Sequence, residues 1–171
     1  MKKLIFITGG AISGKSTFAL QILENEDDVS FIATGQVCDK EMKEKIKNHK
    51  KERSKTWETI EVNNQNIEDI IKNINKKFVI IDCLTFYVST QLIKNKNDRI
   101  LDSAKNIVEE INKNKNIKKC IIVSNEVGMG IVPNNELSRN FREILGNVNK
   151  IFMKNTNKAY FMVSGYPLKL K

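Results

Sequence analysis

One segment near the start of this 171-residue chain constrains its fold more than any other: Gly9-Gly10-Ala11-Ile12-Ser13-Gly14-Lys15-Ser16. It follows a short apolar run, Leu4 to Thr8, and precedes Phe18, Ala19, Ile22 and Leu23, which recur at helical spacing. G-x-x-x-x-G-K-S between a buried strand and an amphipathic helix is the pattern of a phosphate-cradling loop. The glycines let backbone N–H groups converge on phosphate oxygens, and the helix N-terminus adds partial positive charge. In such a loop Lys15 reaches the β- and γ-phosphates, and the Ser16 hydroxyl ligates Mg²⁺. Residues Gly9 to Ser16 are therefore the expected nucleotide-binding segment.

The rest of the chain alternates strand and helix patterns. Val29 to Ala33 is a short apolar run, followed by a charged helical stretch from about Asp39 to Arg53 with Met42 and Ile46 on one face. Thr56 to Val62 alternates weakly, as an edge strand does. Ile67, Ile70, Ile71 and Ile74 mark a helix, and Phe78 to Ile81 is a continuous apolar run suited to burial on both faces of a parallel sheet. Helices are expected from Leu84 to about Ile93 and from Asp98 to about Asn114. Cys120 to Val123 reads as another buried strand, ending in a Gly-rich loop, Ser124 to Pro133. Asn134 or Asn135 is placed to cap a helix bearing Leu137, Phe141, Ile144, Leu145, Val148 and Ile151. Tyr160 to Val163 is the last expected strand, with Gly165 and Pro167 stopping it. The Lys/Asn-rich stretches Lys94 to Asp98 and Asn112 to Lys119 read as exposed turns. This order predicts an α/β fold with a mainly parallel sheet, in one domain spanning residues 1–171.

Composition narrows the partners. Lys and Arg outnumber Asp and Glu by 29 to 20, a formal charge of +9 that favours anionic ligands. Only four of the basic residues are Arg, and Asn is frequent in the same stretches, so the excess reflects a general Lys/Asn bias and argues against a nucleic-acid partner. Cys38, Cys83 and Cys120 are far apart and never in C-x-x-C spacing, which speaks against a disulfide framework or a zinc site and for a cytoplasmic protein. The apolar run at the N-terminus is too short for a membrane span.

Several side chains are candidates for chemistry. Asp82 closes the run Phe78 to Ile81, as the carboxylate of a Walker-B strand does, and is placed to hold Mg²⁺ directly or through water. His49, the only histidine, continues the stripe of Met42 and Ile46. Spacing suits a half-buried structural imidazole as well as a nucleophile that attacks phosphorus. Glu126 lies on the loop leaving a core strand, at the edge where open α/β sheets bind ligands. Arg139 and Arg142, one helical turn apart, suit phosphate or surface acids equally.

Taken together, these segments resemble the bifunctional adenosylcobinamide kinase/adenosylcobinamide-phosphate guanylyltransferase family of cobalamin biosynthesis. The resemblance rests on Thr8 to Ser16, Phe31-Ile32-Ala33-Thr34, Glu41-Met42, Ile46 to His49 with Arg53 and Trp57, Asp82 to Thr85, Ser124 to Pro133, Leu137 with Arg139, Phe141-Arg142, Gly146 with Asn149, and Gly165 to Lys171. It implies a RecA-like P-loop NTPase fold and a homotrimer. It implies phosphorylation of a corrinoid hydroxyl by ATP or GTP, then transfer of GMP from GTP to that phosphate. It also implies that His49 carries GMP covalently, and that Thr34 and Glu126 join the nucleotide site. This chain has Ile12, Ser54, Glu143, Lys150 and Asn157 where the family usually has Arg, Pro, Asp, Gln and Asp. A P-loop small-molecule kinase without a covalent intermediate, and a nucleotide-dependent switch or ATPase, are the competing functional classes.

Overall fold

Alternating burial along the strands decides how the layers form. In β1 (Lys3–Gly9) Leu4 and Phe6 face one helical layer while Ile5 and Ile7 face the other. The same division recurs in β4 (Phe78–Asp82), where Val79 and Ile81 oppose Ile80, and in β5 (Lys119–Asn125), where Cys120 and Ile122 oppose Ile121 and Val123. Strands apolar on both faces stay out of water only when both faces are covered. The computed structural model describes residues 3–35, 44, 47, 50–63, 65–94 and 97–171.

The remaining strands are β2 (Val29–Ala33), β3 (Glu58–Glu61), β6 (Lys158–Val163) and β7 (Tyr166–Lys169). They form one seven-stranded sheet in the order β3-β2-β4-β5-β1-β6-β7, parallel except for the β6–β7 pair. β5 thus separates the phosphate-loop strand from the strand that ends in Asp82. On one face lie α2 (Ile67–Asn73), α3 (Leu84–Ile93), α4 (Asn97–Lys113) and α5 (Glu136–Asn155). α5 seats Leu145, Val148 and Phe152 there, and the Phe152 ring stacks on Phe6 at 6.3 Å between centroids. On the other face α1 (Lys15–Ile22) buries Ala19, and Phe18 meets Tyr160 edge-on at 5.2 Å. Asn135 caps α5, its Oδ1 accepting from Ser138 N at 2.7 Å. Among the described residues no helix is long and apolar enough to cross a membrane.

Two expectations are corrected. The strand expected at Tyr160 to Val163 does stop before Gly165, but it is not the last, and Pro167 lies within a further strand. Ser164 and Gly165, at φ 49° and 87°, make a two-residue turn of the kind that matches strand twist, and β7 returns antiparallel to β6. Pro167 is tolerated because β7 is the edge strand, where a missing N–H breaks no inner ladder. Nor is Asn112 to Lys119 simply an exposed turn. The Asn114 amide donates to the carbonyls of Ile71 and Ile74 at 2.7 and 2.9 Å, Ile117 is buried, and Lys119 already belongs to β5. Of the expected Asp39–Arg53 helix, residues 44, 47, 50 and 51 are helical, and Met42, Ile46 and His49 lie outside the described residues.

Candidate active site

The chain leaves β1 toward α1 on one face and leaves β5 toward α5 on the other, which opens a crevice at the carboxyl ends of these two adjacent strands. The Gly9–Ser16 motif occupies that crevice. Glu126 N donates to the Gly9 carbonyl at 2.9 Å, tying the loop after β5 to the first residue of the motif. Gly14, at φ 90°, is the N-cap of α1, and the first turn of α1 carries no acidic side chain, so nothing local competes for its free N–H groups.

The loop is braced from the opposite side by the β6–β7 turn. Gly165 N donates to the Ser13 carbonyl at 3.1 Å, and a side-chain carbon built on Gly14 would stand 3.1 Å from Gly165 Cα. Gly9 is tighter still, because such a carbon would lie 2.6 Å from the Met162 carbonyl oxygen at a φ of 152°. The Met162 backbone cannot yield to it without disturbing the β1–β6 pairing. Gly9→Ala is therefore expected to lower stability by more than about 1 kcal/mol, measured as the shift in urea midpoint.

Lys15 is buried, and its ammonium donates to the Gly10 carbonyl and to Ser13 Oγ, the latter at 3.3 Å. Burial holds its pKa below the ordinary lysine value, and the neighbouring Cys83 and Asp82 oppose that shift. Lys15 and Asp82 are thus close enough to share a field. Asp82 sits at the carboxyl end of β4, in register with Ala33 of β2 and Val123 of β5. Its corner is held by Thr34, whose Oγ1 donates to the Cys83 carbonyl at 2.6 Å and accepts from Cys83 N at 2.7 Å. Thr34 therefore works here by fixing the backbone beside Asp82. Cys83 itself is a poor nucleophile: burial and the Asp82 charge push its thiol up to about 11.

Glu126 is half-buried and turns Oε1 back onto Gly128 N at 2.6 Å, shaping its own loop beside the phosphate cradle. Arg139 and Arg142 bond to backbone carbonyls. Arg139 Nη1 donates to the Pro133 and Asn134 carbonyls at 3.1 and 2.5 Å, and Arg142 Nη2 donates to the Gly128 carbonyl, so both hold the Ser124–Pro133 loop. Asn149, which carried part of the resemblance without an assigned role, proves to be structural here. From α5 its Oδ1 accepts from Ser124 Oγ at 2.7 Å and its Nδ2 donates to the Asn125 carbonyl at 3.0 Å, pinning the end of β5 beside the motif. A buried Asn in an apolar helical stripe was the available signal. Ile12, at the crest of the motif, is fully exposed. His49 lies outside the described residues.

Residues 5–170 match the family described as cobinamide kinase / cobinamide phosphate guanyltransferase. The chain is 35% identical over 181 residues to the bifunctional adenosylcobalamin biosynthesis protein CobU of Escherichia coli, covering 98% of this chain and 99% of the relative. Against the CobU protein of Salmonella typhimurium the identity is 33%, with the same coverage. Among solved structures, a type III secretion system ATPase of pathogenic bacteria superposes with a TM-score of 0.54 at 12% identity over 93% of this chain. The chain spans about half the length of that ATPase, and the likeness shows the P-loop NTPase fold alone.

Proposed function

The chain belongs to the cobinamide kinase / cobinamide phosphate guanyltransferase family, and on that premise we propose that it carries out two successive transfers on a corrinoid substrate. In the first, the aminopropanol hydroxyl of adenosylcobinamide attacks the γ-phosphorus of ATP or GTP, and the nucleoside diphosphate leaves. In the second, a ring nitrogen of His49 attacks the α-phosphorus of GTP, pyrophosphate leaves, and the adenosylcobinamide-phosphate oxygen then displaces the imidazole. The products are adenosylcobinamide-GDP and pyrophosphate. The observation that carries the reading is the loop itself, turned by Gly14 at φ 90° into α1 with the Lys15 ammonium folded back onto Gly10 and Ser13, at the same carboxyl edge of the sheet as Asp82.

The chain's own residues divide the labour. The motif from Gly9 to Ser16 orients the triphosphate through backbone N–H groups, and Lys15 exchanges its loop bonds for phosphate oxygens. A hydroxyl and a carboxylate are hard oxygen donors, so Ser16 and Asp82 fit Mg²⁺, which neutralises phosphate charge when bound. Glu126 and Thr34 keep the rim of the nucleotide site in shape. Exposed apolar side chains on the Ser124–Pro133 loop and the β6–β7 hairpin, Ile131 and Tyr166 among them, suit the contact of a homotrimer.

The test is incubation with α-labelled GTP and Mg²⁺, followed by denaturation. Label retained on the chain supports the covalent route, and a chain that phosphorylates the corrinoid without retaining label is the simple kinase instead. Ile12→Arg is a separate prediction. A charge-assisted phosphate contact contributes about 1.5–3 kcal/mol, so equilibrium titration should show triphosphate binding about tenfold tighter or better.

A further inference from the structure

Arg53 belongs to none of the bonds that build the site above, yet its surroundings are unusual for a surface cation. Its guanidinium carbon stands 3.7 Å from the centroid of the Phe31 ring. Nη1 donates to Thr59 Oγ1 at the long distance of 3.4 Å, and Nε is buried with no hydrogen-bond partner. Burial lowers its pKa from the ordinary value, opposed first by Asp82 and then by Glu61 and Glu52, and a guanidinium remains charged regardless. A guanidinium with one donor orphaned and another at the limit of bonding is under-satisfied, and a buried orphan donor in a folded chain requires an explanation.

The strand register gives one. Phe31 of β2 pairs with Ile80 of β4, and both side chains face the α1 layer. Two residues further along, Ala33 pairs with Asp82, on the same face and at the carboxyl edge. Two strand residues span about 7 Å, so a guanidinium above Phe31 lies within a side chain's length of the Asp82 end. Lys15 approaches that end from α1. The Phe31 ring acts as a platform that holds the planar fork by its face and fixes its orientation.

We propose that Arg53 binds the phosphate chain of the nucleoside triphosphate as a second cation beside Lys15, supplying the charge that Ile12 does not. The inference rests on the nucleotide reading of this site. A planar fork matches two phosphate oxygens and an ammonium does not, so lysine is not a conservative replacement here.

Equilibrium titration of Mg·GTP and of inorganic pyrophosphate into the full chain tests it, with Arg53→Met and Arg53→Lys compared at one salt concentration and their thermal midpoints measured alongside. Methionine keeps an unbranched stem over Phe31 without the charge. Arg53→Met is expected to weaken both ligands by about tenfold to a hundredfold, and Arg53→Lys to recover only part of that loss. Affinity within about twofold of wild type in a folded Arg53→Met overturns the proposal, and so does a loss of affinity that merely follows the fall in thermal midpoint across the two variants. Should Arg53→Met fail to fold, wild-type affinity in Arg53→Lys overturns it as well. Lys15→Ala in the same titration separates the two levels of inference: GTP binding that is absent in wild type or indifferent to Lys15 refutes the nucleotide reading, whereas Lys15-dependent binding that ignores Arg53 refutes only the arginine.

Discussion

Lys15→Ala should depress phosphorylation of the corrinoid and guanylyl transfer together, each by about a hundredfold to a thousandfold, the scale of losing one preorganised group that stabilises transition-state charge. Both reactions break a bond of a nucleoside triphosphate, and the cradle from Gly9 to Ser16 offers one place for its phosphates. The buried ammonium is held in reserve by the Gly10 carbonyl and Ser13 Oγ, with the Asp82 carboxylate nearby to sustain its charge. The loop does not depend on Lys15 for its shape, because Gly165 N holds Ser13 and Glu126 N holds Gly9. Thermal unfolding of the variant should therefore change far less than its turnover. Separate assays of the two reactions decide the matter, and undiminished guanylylation in the variant would place GTP in a second site. Asp82→Asn should reproduce part of the loss and recover with excess Mg²⁺.

The layered sheet was legible because its strands carry apolar residues on both faces. Phe78 to Ile81 and Cys120 to Val123 satisfy no other arrangement so well, and the helices between them repeat Ile and Leu at helical spacing. The hairpin at the end was not legible, because its two signals conflict. Ser164-Gly165 is a good turn pair, yet Pro167 argues against a strand until β7 is known to be an edge. Asn114 and Asn116 hid in a Lys/Asn-rich stretch for a related reason. Composition marks them as exposed, and only the tertiary fold supplies the Ile71 and Ile74 carbonyls that their amides meet.

Within the site, local pattern was enough for the residues whose place follows from a single turn or strand end. Gly14, Lys15 and Ser16 are fixed by the turn from β1 into α1, and Asp82 by its place at the end of a buried strand. Residues that act on distant backbone left no such trace. Thr34 and Cys83 are 49 positions apart in the chain and meet because parallel β2 and β4 end side by side, while Ser124 and Asn149 are 25 apart and meet because α5 packs back over the end of β5. By charge alone Arg142 suited a phosphate or a surface acid equally. Its bond to the Gly128 carbonyl braces the loop, while Arg53, which spacing within a charged run could not place, lies over the Phe31 ring.

His49→Ala should separate the two activities. Guanylyl transfer should fall by about a thousandfold or more, as expected when a covalent nucleophile is removed, while phosphorylation of the corrinoid stays within about threefold of wild type. Direct attack of a hydroxyl on the γ-phosphorus needs the cradle, Mg²⁺ and positioning, none of which requires an imidazole. Attack on the α-phosphorus through a covalent stage needs a neutral nitrogen nucleophile, and the adduct is a phosphoramidate. Cys83 cannot take over that task, because its buried thiol, pushed up to about 11, is not a thiolate near neutral pH. Mass spectrometry of the wild type after GTP treatment should show one added GMP on the peptide that contains His49, labile to acid and stable to alkali. The variant should show none, with an unchanged circular dichroism spectrum. GMP on a lysine, or adenosylcobinamide-GDP formed by the variant at the wild-type rate, would return His49 to a structural role and leave the phosphate cradle to act on GTP without a covalent stage.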